Sequence, residues 1–115
     1  MPLLEAGLVA AACPVAAEFG ADLKTEANVV EAGRTLRASI GAHPSAWAEA
    51  CESLGAFRAS VLVLIVAQLH DDDVRRGESR IKNPGGYFRQ LVRLTAEGRY
   101  GLEAELMVMR RRKMT

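Results

Sequence analysis

Disulfides, membrane spans, strands and catalytic signatures are all missing from this 115-residue sequence. Its two cysteines, Cys13 and Cys51, lie far apart and in no C-x-x-C spacing, so they read as reduced, mostly buried thiols of a cytoplasmic protein. The longest apolar run, Val61-Leu62-Val63-Leu64-Ile65-Val66-Ala67, is too short to cross a bilayer, and no basic segment precedes the apolar N-terminus. The expectation is no membrane or secretion role. Neither cysteine has a histidine near it in sequence, and neither histidine has a serine in a nucleophilic arrangement. Gly85-Gly86 is not followed by the Gly-Lys-Ser/Thr of a phosphate-binding loop. The expectation is a protein that is not an enzyme and carries no cofactor. Aromatics are few as well, with one Trp, two Tyr and three Phe.

What is present supports one helical domain over residues 1–115. Half the residues are apolar and a quarter charged, enough for a real core without metal or disulfide support. Leu3, Leu4, Leu8, Val9 and Ala12 fall on one helical face, and Pro14 breaks that segment before a short turn over Val15 to Phe19. A second amphipathic helix is read from Leu23 to Ile40, with Ala27, Val30, Leu36 and Ile40 inward and Gly41 as its stop. His43-Pro44-Ser45 starts the next helix, which turns Trp47, Ala50, Cys51 and Leu54 inward before Gly55. Phe57 to Leu69 is apolar nearly all round and reads as a central buried helix. The charged stretch from Asp71 to Ser79 has no apolar period and reads as a loop. A last helix, Leu102 to Arg112, buries Leu102, Leu106 and Met109. No repeat, strand alternation or hairpin signal interrupts this series, so the fold class is all-α, a compact bundle of about five to six helices with no sheet. Its core is expected from Trp47, Leu54, Leu62, Ile65, Leu69, Phe88, Leu91 and Leu106.

The most informative stretch is Asn83-Pro84-Gly85-Gly86-Tyr87-Phe88. Asn is a favoured N-cap and Pro fits the first helical position, so a helix starts here and runs to Gly98, burying Phe88, Leu91, Val92 and Thr95. Two glycines in its first turn cost about 1 to 2 kcal/mol relative to alanines. Something must approach that backbone. It is either a packed helix or a ligand such as a phosphate reaching unshielded amides.

Net charge near +1 hides an asymmetry. Up to Asp73 there are four Lys/Arg against ten Asp/Glu, a net of −6; from Val74 onward there are eleven against four, a net of +7. A basic C-terminal third on an acidic body points to an anionic partner, or to copies of the chain meeting through opposite surfaces. Arg89 and Arg93 lie four apart on the outer face of the Gly-Gly helix. Tyr87 stands near Lys82 and Arg89, and Tyr100 beside Arg99, an interleaving that suits nucleic acid or simple packing at helix ends. Trp47, flanked by alanines, reads as core. The run Arg110-Arg111-Arg112-Lys113 is either a solvated tail or a nonspecific phosphate clamp. Candidate contacts for nucleic acid or a protein partner are therefore Lys82, Asn83, Gly85, Gly86, Tyr87, Arg89, Arg93, Arg99, Arg110, Arg111, Arg112 and Lys113. His70 with Asp71, Asp72 and Asp73 matches no calcium loop, and the triplet has a simpler role in pairing with Arg75, Arg76 and Arg80, so no metal site is assigned.

Four stretches carry a likeness beyond periodicity: Ala12-Cys13-Pro14; Gly41 with Pro44-Ser45-Ala46-Trp47 and Glu49-Ala50; the small-apolar helix after Gly55; and Asn83-Pro84-Gly85-Gly86-Tyr87-Phe88-Arg89 with Leu91, Gly98 and Leu102. In these the sequence resembles the C-terminal region of the RepC family, replication initiators of repABC-type plasmids. The resemblance covers essentially the whole chain. It implies a replication module without the winged-helix DNA-binding region that precedes this part in the family, with DNA or replication proteins as partners. The charged stretch Asp71 to Arg80 and the basic end of the last helix depart from the family pattern. The alternative is an interaction or oligomerisation module, possible homo-oligomer included, without nucleic-acid affinity.

Overall fold

The computed structural model describes residues 4–114. Seven helices follow one another there: α1 (Ala6–Ala12), α2 (Val15–Glu18), α3 (Glu26–Leu36), α4 (Pro44–Leu54), α5 (Ala56–Arg76), α6 (Pro84–Ala96) and α7 (Leu102–Lys113). There is no strand among the described residues, as the sequence pattern requires. Seven rather than five or six helices arise partly because Pro14 bars its predecessor from helical geometry: Cys13 has φ −125° and ψ 64°, which separates α1 from α2. Leu3, expected on the face of the first helix, lies outside the described residues.

The central helix is α5. Every residue from Ala59 to Gln68 is buried in it, so neighbours cover it on all sides. Around it Leu62, Ile65, Phe88, Leu91 and Leu106 form one cluster, with Trp47, Leu54 and Leu69 half-buried against it. The expected core is thus the observed one.

Helix α3 crosses α5 at very short range. A Cβ at Gly33 would fall 2.6 Å from Ser60 Oγ, closer than real side chains approach, so only glycine fits there. Ser60 turns its hydroxyl back onto its own helix, donating to the Ala56 carbonyl at 2.7 Å, and so leaves no polar group stranded at the contact. The buried face is Val29, Ala32, Gly33 and Leu36, with Ala27 exposed and Val30 only partly covered. This rotates the expected stripe. The helix begins later, at a Thr25–Asn28 capping box, and ends at Leu36. Ile40 is buried from the following turn rather than from the helix, so it does not belong to the helical period.

The stretch after Leu69 is a correction to the sequence reading. Residues 71–76 continue α5 instead of forming a loop, and Gly77, with φ +66°, stops the helix. High charge does not oppose a helix when charges match at one-turn spacing: Arg75 Nε donates to Asp71 Oδ2 at 2.7 Å, and Gln68 Nε2 to Asp72 Oδ1 at 2.9 Å. Asp73 then orders the segment that leads into α6. Its carboxylate accepts the Arg80 and Ile81 amides, each at 2.9 Å, and these backbone bonds hold its pKa below the usual carboxylate range.

Helix α7 lies along α1, and its last turn is tied to α5. Lys113 Nζ donates to Asp72 Oδ1 at 2.7 Å. Gln68, which donates to the same oxygen, accepts the Val15 amide at 2.8 Å. One polar chain therefore joins α2, α5 and α7, satisfying groups that packing has removed from water.

Candidate nucleic-acid or partner interface

The site grows from the start of α6. Asn83 Oδ1 accepts the Gly86 amide at 3.0 Å, Pro84 opens the first turn, and Gly98, with φ +74°, lies just past the last. The two glycines separate in role. A Cβ at Gly85 would lie 2.8 Å from the Gly41 carbonyl carbon and nearer still to its oxygen. Gly85 is buried and lets α6 sit on the turn between α3 and α4, so close packing is its reason, against a turn rather than another helix. Gly86 is exposed, and a Cβ there would meet only the side chain of Asn83, the cap of its own helix.

Two open clefts flank this turn. The first, of about 660 Å³, lies between the end of α5, the segment 78–83, α6 and α7. Lys82, Asn83, Gly86, Tyr87 and Arg112 line it together with Arg76 and Arg80. The second, of about 670 Å³, runs between α4 and α6, where Arg89 and Arg93 face Glu49 across a small-residue floor that includes Ala46 and Ala96.

Several cations of the basic third are engaged within the molecule. Arg75 bridges Asp71 at 2.7 Å and Glu18 at 3.3 Å, Arg80 meets Glu78 at 2.8 Å, and Arg99 lies 3.5 Å from Glu97. Lys113 is held by Asp72. Lys82, Arg89, Arg93 and Arg111 are exposed and Arg110 is half-buried, and none of the five makes a hydrogen bond or ion pair among the described residues. Exposed pairs are individually weak and yield to a stronger anion, so Arg80 and Arg99 can still exchange partners.

Of the residues expected from sequence, Lys82, Asn83, Gly86, Tyr87 and Arg112 come together in the first cleft, and Gly86, Arg89 and Arg93 in the second. Gly85 is a packing residue. Arg99, Arg110, Arg111 and Lys113 line neither cleft; the basic run of α7 fans out around its helix, with Lys113 turned to α5. Tyr87 is half-buried, and burial, then the Glu105 carboxylate, raises its pKa. Tyr100 packs against the core with its hydroxyl buried and unpartnered among the described residues; burial first, and Glu105 next, drives its pKa far up. The same cause raises the Cys13 thiol, which is fully buried, while Cys51 is half-buried.

Sequence reasoning missed Arg76, Arg80, Gln90 and Glu49. Gln90 was findable, since it stands one turn beyond Gly86 on the same face and lines both clefts. Arg76 was hidden by reading its stretch as a loop, and Arg80 by reading it only as a pairing partner for the aspartates. The three aspartates do not converge: Asp71 turns to Arg75, Asp72 to Gln68 and Lys113, Asp73 to two amides. Among the described residues no group of three or more acidic, His or Cys side chains is placed to hold a metal ion. Among them, too, no helix is long and apolar enough to cross a membrane.

An all-α module with unpaired cations beside one glycine-rich helix start and at the end of its last helix is the class these features define. The chain belongs to the family described as replication protein C C-terminal region, which it matches over residues 5–112. It is 28% identical over 113 residues to a protein of Sinorhizobium fredii (strain NBRC 101917 / NGR234) named "Putative replication protein C", covering 96% of this chain and 26% of that one. A protein of the same name from Rhizobium rhizogenes is 26% identical over 105 residues, covering 90% of this chain and 24% of its own length. The chain thus spans about a quarter of the length of these relatives. No solved structure matches it significantly.

Proposed function

We propose that this chain is a noncatalytic module of plasmid replication initiation that contacts DNA, or a replication protein, through its basic C-terminal third. Family membership supports the replication context. The observation that carries the contact is the set Lys82, Arg89 and Arg93: three exposed cations without internal partners that line the two clefts beside the start of α6. Such a set grips phosphates without reading bases, because sequence is read from base edges and not from the backbone.

Reversing Arg89 and Arg93 together to Glu tests it. In anisotropy titrations at two salt concentrations the reversal should weaken DNA binding by at least about tenfold at low salt and reduce the salt slope by roughly 1 to 2. The melting temperature should stay near that of the wild type, since both side chains are exposed.

A second reading, an interaction or oligomerisation module, draws on Glu49 facing the same arginines and on the −6 net charge of the sequence up to Asp73. Wild-type protein with no DNA affinity at low salt, and self-association that the reversals abolish, would establish it in place of the first.

A further inference from the structure

Gly86 and Gln90 line both clefts, so the two clefts are neighbours across the first turns of α6. Any side chain at position 86 would stand between them. Packing of the body explains Gly85, through the Gly41 carbonyl, but not Gly86, where a Cβ meets only the helix cap. The low point between the clefts therefore exists because residue 86 has no side chain.

Resting on the nucleic-acid reading above, we propose that the two clefts form one channel, and that a single strand of nucleic acid crosses α6 through it over Gly86. Unpaired cations line both parts of it, Lys82 in one cleft and Arg89 and Arg93 in the other. Tyr87 forms part of the first wall and offers a ring to a base, a contact that works for any base because each has a π-face. Each cleft, at about 660 and 670 Å³, falls in the range of about 300 to 1,000 Å³ that takes a small organic ligand, so nucleotides fit one after another.

Duplex DNA suits this geometry poorly. A major groove about 12 Å wide takes one helix, and that helix must project its side chains outward. Arg89 and Arg93 instead line the furrow that α6 shares with α4, so they do not form the outward-projecting row that a groove-reading helix needs. The carboxylates fit the same picture. Asp72, Asp73 and Glu78 in the first cleft are engaged by Lys113, two backbone amides and Arg80 respectively. Glu49 and Glu105 make no such contact, and they repel phosphates toward the α6 side of each cleft.

The test uses a fluorescent oligo-dT of about 15 nucleotides and a duplex of equal length. Wild-type protein should hold the single strand at least about tenfold tighter than the duplex at equal salt. Gly86→Leu should melt near the wild type yet lose about tenfold in single-strand affinity, and Glu49→Gln should tighten it. If Gly86→Leu melts early, Gln90→Glu examines the same passage at an exposed helix position, with a loss of single-strand affinity again expected. Equal competition by duplex, or wild-type binding by the position-86 or position-90 variant while the arginine reversals fail to bind, overturns the channel and leaves the proposed function standing. No affinity for either nucleic acid overturns both.

Discussion

At the crossing of α3 and α5, Gly33 lets one helix come down on Ser60 of the other, and the contact is sealed from water. At the start of α6, Gly86 sits exposed between two clefts, with only its own cap beside it. Both glycines lie inside helices and carry a similar intrinsic cost, about 1 kcal/mol relative to alanine. In the first case the fold repays that cost through close packing. In the second the fold does not ask for it. Gly85 shows how local this distinction is, since one residue away from Gly86 it behaves like Gly33.

The sharpest way to break the comparison is substitution at the three positions. Gly33→Val should cost about 3 kcal/mol or more, because the backbone of α5 and not a flexible side-chain end stands in the way. Gly85→Ala should cost about 2 kcal/mol, since the Gly41 carbonyl must move. Gly86→Ala should fall within about 0.5 kcal/mol of the wild type, the better helix propensity offsetting some crowding of Asn83. Urea unfolding of the three variants measures the order, and a Gly86 variant as damaged as the Gly33 one would erase the contrast.

Asp73 sharpens it from the other side, because its charge belongs to the fold and not to the surface. Its pKa is lowered by the Ile81 and Arg80 amides, with His70 and Arg80 adding attraction. A depressed carboxylate contributes stability above its unfolded pKa, about 3.9, and loses that contribution as pH falls through the lower folded value. Asp73→Asn should therefore lower the melting temperature at neutral pH, with the gap to the wild type closing as the pH drops below about 4. A gap that stays constant with pH would mean that the two amide bonds do not depend on charge. A small effect of the opposite sign is expected at Tyr100. Removing its unpartnered buried hydroxyl with Tyr100→Phe should raise stability by about 0.5 to 1 kcal/mol, read as a higher urea midpoint.

Much of this architecture was legible in advance, and the failures have identifiable causes. Helix α6 could be read from Asn83, Pro84 and Gly98 because caps act locally and leave their signature in residue type. The face of α3 was misplaced because Ile40 was counted in the helical period, although it is buried from a turn, and because glycine carries no hydropathy signal at a contact such as Gly33–Ser60. The helical state of residues 71–76 was lost because apolar periodicity says nothing where a helix is held by charge pairs one turn apart. At the candidate site the residue types were visible, but their grouping was not. Whether Lys113 points to solvent or to Asp72 depends on how α7 packs along α1, and no local pattern encodes that.

The polar chain from Val15 through Gln68 and Asp72 to Lys113 has a consequence for motion. It closes the molecule into a noncovalent ring, joining residues 98 positions apart near opposite ends of the sequence. Terminal segments usually fray independently of one another. Here the Val15 amide exchanges its hydrogen only when Gln68 lets go, and Gln68 shares its acceptor oxygen with the last turn of α7. Opening at one end of the chain is thereby felt at the other, and the arginines of α7 ride on a clasped element whose ordering entropy was lost at folding.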